Sequence, residues 1–131
     1  MIRLQTDGAF APDGLAGAGI VWQQGAKRHT QSVALTVQDN HAAEFKAAQL
    51  GFELLNDAGL KNEIVQFTTD SKAVVAALQK RYSHGYAPEL AALLAVTDQF
   101  RLVFPKWVPE KTTHQVHELA QQALQRQRDQ N

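Results

Sequence analysis

The chain has 131 residues, 13 basic and 13 acidic, with no cysteine and a hydrophobic content of 44%. That length suits one domain, residues 1–131, around one core, and the lack of cysteine excludes disulfides and thiolate metal sites. No apolar run approaches the ~20 residues of a membrane span and the N-terminus lacks an apolar signal segment, so a cytoplasmic protein without a membrane partner is expected, while zero net charge weighs against a large basic footprint.

Residues 2–6 predict a first strand that Asp7-Gly8 ends, followed by a Gly- and Pro-rich loop over 11–19. A second strand starts at Ile20, a turn follows at Gln24-Gly25-Ala26-Lys27, and residues 28–37 give a third strand. Such short connections imply an antiparallel meander. Asp39 or Asn40 can cap a helix over 41–58, whose Phe45, Ala48, Phe52 and Leu55 form one apolar stripe and which Gly59 ends. Residues 64–69 form a short apolar strand ending at Asp70. Ser71 can cap a second helix to about Lys80, and Pro88 opens a third to about Gln99. Residues 101–107 make a fifth strand, 109–113 a loop, and a last helix runs to about Arg126, with Gln125 to Asn131 expected to fray. The order βββαβααβα describes an α/β fold: a mixed five-stranded sheet, three antiparallel strands and then two crossover strands, with helices packed on it.

Three carboxylates occupy telling places. Asp7 follows a strand and precedes the Gly-rich loop, and Asp70 ends a buried strand just before a helix. Glu44 sits early in a helix at the edge of its apolar stripe: at 100° per residue, Leu55 lies about 20° and Ala48 about 40° from it, so Glu44 faces the sheet. Each has an ordinary explanation. Asp-Gly makes turns, Asp-Ser starts helices, and a glutamate suits the positive end of a helix. Taken together they point elsewhere, because three carboxylates converging on one sheet edge repel unless a positive charge lies between them. An all-oxygen donor set suits Mg²⁺ or Mn²⁺.

Thr6-Asp7-Gly8-Ala9, Asn40-His41-Ala42-Ala43-Glu44, Thr69-Asp70-Ser71, and Trp107-Val108-Pro109 followed by His117-Glu118-Leu119-Ala120 resemble, in order, the four motifs of the type 1 ribonuclease H family. The resemblance covers nearly the whole chain. It implies a ribonuclease H-like fold, an endonuclease that hydrolyses the RNA strand of an RNA/DNA hybrid, and two Mg²⁺ or Mn²⁺ ions, one activating water and one stabilising the leaving 3′ oxygen. By the same resemblance Asp7 bridges the ions while Asp70 and Glu44 hold one each, Glu44 also approaching a ribose 2′-hydroxyl. Asn40 contacts the minor groove, and the backbone of Gly8 and Ala9 passes close to the cut strand. Ser71, Lys72 and Lys111 are weaker candidates for phosphate contact, with capping and solvated charge as their ordinary roles. The acting species is expected to be a monomer.

The sequence departs from the family at two places. Where the fourth motif carries an aspartate, this chain has His117. Glu118 is a poor substitute by geometry, since it lies about 200° round the last helix from Val116, whereas His117 flanks the apolar stripe on the sheet side. His117 is then a tolerated change, a ligand that favours Mn²⁺ over Mg²⁺, or a proton donor to the leaving oxygen. Residues 81–99 also lack the basic helix with which some family members grip the hybrid, which implies weak, salt-sensitive binding. Two rival functions follow: a catalytically impaired module that binds hybrid or double-stranded RNA, and a nuclease of the same fold with another nucleic-acid substrate.

Overall fold

The computed structural model describes residues 1–130. Strands β1 (Ile2–Phe10), β2 (Ala16–Gln24) and β3 (Lys27–Leu35) form an antiparallel meander, and β4 (Ile64–Thr69) and β5 (Leu102–Trp107) extend it in parallel on the β1 side. The sheet order is β3-β2-β1-β4-β5. Helices α1 (Asn40–Asp57), α2 (Lys72–Lys80), α3 (Ala87–Thr97) and α4 (His114–Gln130) complete the chain, and a 3-10 turn at Glu110–Thr112 leads into α4. The expected element order and sheet composition are those observed. None of the described helices is long and apolar enough to cross a membrane.

Local chemistry accounts for the helix starts. The Asp39 side chain accepts from the Ala42 amide at 2.8 Å, making Asp39 the N-cap of α1. Ser71 Oγ accepts from the Val74 amide at 3.2 Å and opens α2. Each supplies an acceptor to an otherwise orphaned N–H. The stripe of α1 buries Phe45, Ala48, Phe52 and Leu55 against Leu4, Val65 and Phe67, with Leu93 and Phe100 closing the far side. Phe52 lies 5.3 Å from Phe67 and 5.4 Å from Phe100, ring centre to ring centre.

The opposite face carries α4, which packs on β1, β2 and β3. This packing corrects the sequence expectation for 11–19. Only Ala11 to Leu15 is a turn, and Gly17 and Gly19 lie inside β2. A Cβ at Gly17 would stand 2.4 Å from the Ala120 carbonyl oxygen, and one at Gly19 would stand 1.9 Å from that of Val116. The glycines serve close helix-on-sheet approach instead of a loop. For the same reason β1 continues to Phe10, so Asp7 is a mid-strand residue paired with Gly19 and does not follow the strand. β3 stops at Leu35, not 37. The polar tail does not fray over 125–130: α4 runs to Gln130, Gln127 donates to the Ala16 carbonyl, and Arg128 pairs with Asp13 at 3.0 Å. Asn131 lies outside the described residues.

Candidate active site

The site is assembled by close backbone approach. Helix α1 crosses β1 at Gly8, where a Cβ would meet the Ala43 carbonyl at 2.4 Å and the Glu44 nitrogen at 2.6 Å. With no side chain in the way, the Gly8 amide donates to Glu44 Oε1 at 3.1 Å. Asp7 is beside it on β1, and Asp70 follows the last residue of β4, two strands that are parallel neighbours. One carboxylate oxygen from each of Asp7, Glu44 and Asp70 lies within 4.8 Å of the others. Asp7 and Glu44 are buried, at 3% and 7% exposure, while Asp70 is half-buried.

Helix α4 adds His117, whose Nδ1 lies 3.0 Å from Asp7 Oδ2. Its ring is half-exposed at the mouth of the site. His117 is not part of the three-carboxylate set itself; its observed partner is Asp7. Glu118 and His114 are exposed.

Electrostatics follow from this crowding. Burial, reinforced by the charges of Asp7 and Asp70, pushes the Glu44 carboxyl up to about 9. Asp7 rises to about 6, chiefly through burial and then the Asp70 charge, against the opposing hydrogen bonds of His117 and Glu44. Asp70 is also raised, by burial first and by Glu110 second. Glu44 Oε2 is buried and has no hydrogen-bond partner. An orphaned buried oxygen on Glu44, which clusters with two other carboxylates, all hard oxygen donors, is the chemistry that fits a divalent cation of the Mg²⁺ or Mn²⁺ kind.

The three carboxylates sit in a cleft of about 600 Å³. Of the residues singled out from the sequence, Gly8, Ala9, Asn40, Ser71, Lys72 and His117 line it. Ser71 is largely engaged as the α2 cap, and Lys72 holds its ammonium 4.8 Å from the centre of the Trp107 ring. Lys111 is exposed on the 3-10 turn and does not line the cleft; its acidic neighbour Glu110 does. Sequence reasoning missed His41, Trp107, Glu110 and Gln121 as cleft residues. Trp107 fixes the site from below, its Nε1 donating to the Asp70 carbonyl at 3.0 Å while the Val108 amide donates to Thr69 O at 3.0 Å. Gln121 was open to inference, since it follows His117 by one helical turn. His41 and Glu110 are exposed polar residues that leave no periodic signal.

A family model described as reverse transcriptase-like matches residues 5–123. The chain belongs to the ribonuclease H-like family. It is 35% identical, over 96% of both chains, to an Enterococcus faecalis protein named "Putative hydrolase EbsB". Among solved structures it superposes with TM-score 0.86 on ribonuclease H1 from the archaeon Halobacterium salinarum, at 21% identity over 95% of this chain and 97% of that one. It superposes equally well on LC11-RNase H1 in complex with an RNA/DNA hybrid, at 21% identity over 96% and 98% of the two chains. These likenesses establish a ribonuclease H-like fold with the sheet and helices described above.

Proposed function

We propose that this member of the ribonuclease H-like family is a metal-dependent endoribonuclease that cuts the RNA strand of RNA/DNA hybrids in the cytoplasm. The observation that carries the proposal is the convergence of Asp7, Glu44 and Asp70 within 4.8 Å, with Glu44 Oε2 buried and unpartnered. A module that only binds nucleic acid gains nothing from a carboxylate cluster facing phosphates. A structural neighbour with a bound RNA/DNA hybrid and a relative named as a hydrolase agree with this reading.

Asp7, Glu44 and Asp70 would hold the ions. Two ions held there would supply an activated water and stabilise the leaving oxygen. The protein's own part is positioning. The Gly8 amide fixes one oxygen of Glu44 and leaves the other buried without a hydrogen-bond partner. Through Nδ1, His117 holds Oδ2 of Asp7 and so orients that carboxylate. Trp107 anchors the backbone of Asp70. Asn40, at the start of α1, and Lys72, steadied over the Trp107 ring, line the cleft wall and would meet a bound hybrid there.

The test is cleavage of labelled hybrid, duplex DNA and duplex RNA with Mg²⁺, with Mn²⁺ and with chelator. Cleavage confined to the RNA strand of the hybrid and abolished by chelator is expected. Metal-independent cleavage, or metal-dependent cleavage of another substrate in preference, refutes the assignment.

A further inference from the structure

Away from the cleft, the sheet has a second surface. Helix α4 covers β1, β2 and β3 on its face, and the lower part of that face stays open. Alternation along the strands places Arg3 of β1, Arg28 of β3, Gln66 and Thr68 of β4, and Phe104 and Lys106 of β5 on this one surface: Gln66 pairs with Arg3 and with Phe104, and Thr68 pairs with Lys106. Arg3, Arg28, Gln66 and Thr68 line a common hollow of about 330 Å³ whose lining contains no acidic residue. Among the described residues, neither arginine nor Lys106 is in an ion pair. Phe104 is 51% exposed, on a strand with no helix over that side.

The chain is neutral overall, yet the two surfaces differ in charge: Asp7, Glu44, Asp70 and Glu110 line the cleft, whereas the charged residues lining this hollow are Arg3 and Arg28. A flat sheet carrying cations, carboxamide and hydroxyl groups and one bare aromatic ring matches the chemistry of a single nucleic-acid strand, whose phosphates take the cations and whose bases stack on the ring. Pairing of β5 with a second copy is disfavoured, because Pro105 in the edge strand removes a ladder donor. Arg3 and Asp7 lie on the same face of β1, four residues and hence ~13 Å apart, so the surface adjoins the cleft.

We propose that the open face of the sheet formed by Arg3, Arg28, Phe104 and Lys106 is a second nucleic-acid site that binds single-stranded RNA or DNA. It does not depend on hybrid cleavage, and the test runs without catalysis. Binding of a fluorescent uridine or thymidine 12-mer to the full chain is followed by anisotropy in EDTA at several salt concentrations. Three phosphate contacts predict a slope of log affinity against log salt of about −2, at about −0.7 per contact. Arg3→Gln with Arg28→Gln should reduce the slope to about −0.7, and Phe104→Ala should weaken binding at least about 5-fold through lost stacking. Arg28→Glu alone, at an exposed strand position, should weaken it further while leaving the melting temperature unchanged, which guards against a folding defect in the double variant. The proposal is overturned if the wild type shows no binding at 50 mM salt, if these variants bind like the wild type, or if Lys72→Gln abolishes binding, which would place the strand in the cleft. It is equally overturned if sedimentation shows a dimer that Phe104→Ala dissociates, since the face would then be a contact between copies.

Discussion

The buried Glu44 carboxyl ties the site to the stability of the fold. Its proton is held far more tightly in the folded chain than in the unfolded one, at about 9 against 4.5. A carboxyl raised in this way leaves stability intact below its unfolded value and removes stability as pH climbs from there toward its folded value, because over that window the unfolded state gives up the proton and the folded state keeps it. At pH 7 the unfolded group has passed its own pKa by 7 − 4.5 = 2.5 units. At ~1.4 kcal/mol per unit the ceiling of the cost is about 3 kcal/mol. Asp7, raised to about 6, adds in the same direction between pH 4 and 6. In chelator, the wild-type melting temperature should therefore fall between pH 5 and pH 8. Glu44→Gln, which keeps an acceptor for the Gly8 amide, should melt higher than the wild type at pH 7, by up to roughly 10 °C for a chain of this size, and by more at pH 8. Mg²⁺ or Mn²⁺ should restore the wild type and do little for the variant. Calorimetric melts across pH, with and without metal, decide it. A Glu44→Gln protein that melts with the wild type at every pH, or below it at pH 8, refutes the argument that this carboxyl is buried at a cost.

Asp70→Asn should abolish hybrid cleavage without lowering the melting temperature, because it removes one of the three clustered carboxyl groups and relieves repulsion with Asp7; near-normal cleavage would sink the site. His117→Ala should lower activity only in part, and His117→Asp should raise the Mg²⁺-to-Mn²⁺ activity ratio by placing a carboxylate where imidazole now meets Asp7; unchanged rates and ratio in both variants would make His117 a bystander. Trp107→Phe keeps the ring but deletes the donor to the Asp70 carbonyl, so the metal concentration for half-maximal activity should rise several-fold while the melting temperature falls by only a few degrees, consistent with ~1 kcal/mol for one hydrogen bond. Gly8→Ala drives a methyl into the Ala43 carbonyl at 2.4 Å and should destabilise the fold by at least about 2 kcal/mol, read by denaturant unfolding.

What was legible in the sequence depended on signals that are local. The cap at Asp39, the apolar stripe of α1, the stop at Gly59 and the strand before Asp70 are each encoded within a few residues, and each is found where the pattern put it. The three carboxylates stood out because they broke those patterns, being acidic where the chain otherwise buries itself. The errors came where a distant element decides. Gly17 and Gly19 carry the local mark of a loop, yet α4, a hundred residues later, requires them in a strand. The tail after Gln125 looks free because it is polar, but its partners, Asp13 and the Ala16 carbonyl, come from the other end of the chain. Glu110 and His41 reach the cleft by the path of their backbones alone, and nothing in their neighbours announces it.

The same glycines that blurred the strand boundaries account for the site. Asp7 is paired with Gly19 on β2 and followed by Gly8 on β1. The first bare position lets α4 settle with the Val116 carbonyl against the sheet, which delivers the next residue, His117, to Asp7. The second lets α1 settle with the Ala43 carbonyl against β1, which delivers Glu44 to the Gly8 amide. Asp7 is thus enclosed by a helix on each face of the sheet, and this is why a mid-strand carboxylate is only 3% exposed and its pKa is raised chiefly by burial. The bare position at Gly8 lets α1 bring Glu44 within 4.8 Å of Asp7 and Asp70, and the one at Gly19 lets α4 bring His117 against Asp7. Sequence motifs containing Asp-Gly at this place are therefore read better as a packing requirement of the two helices than as a turn.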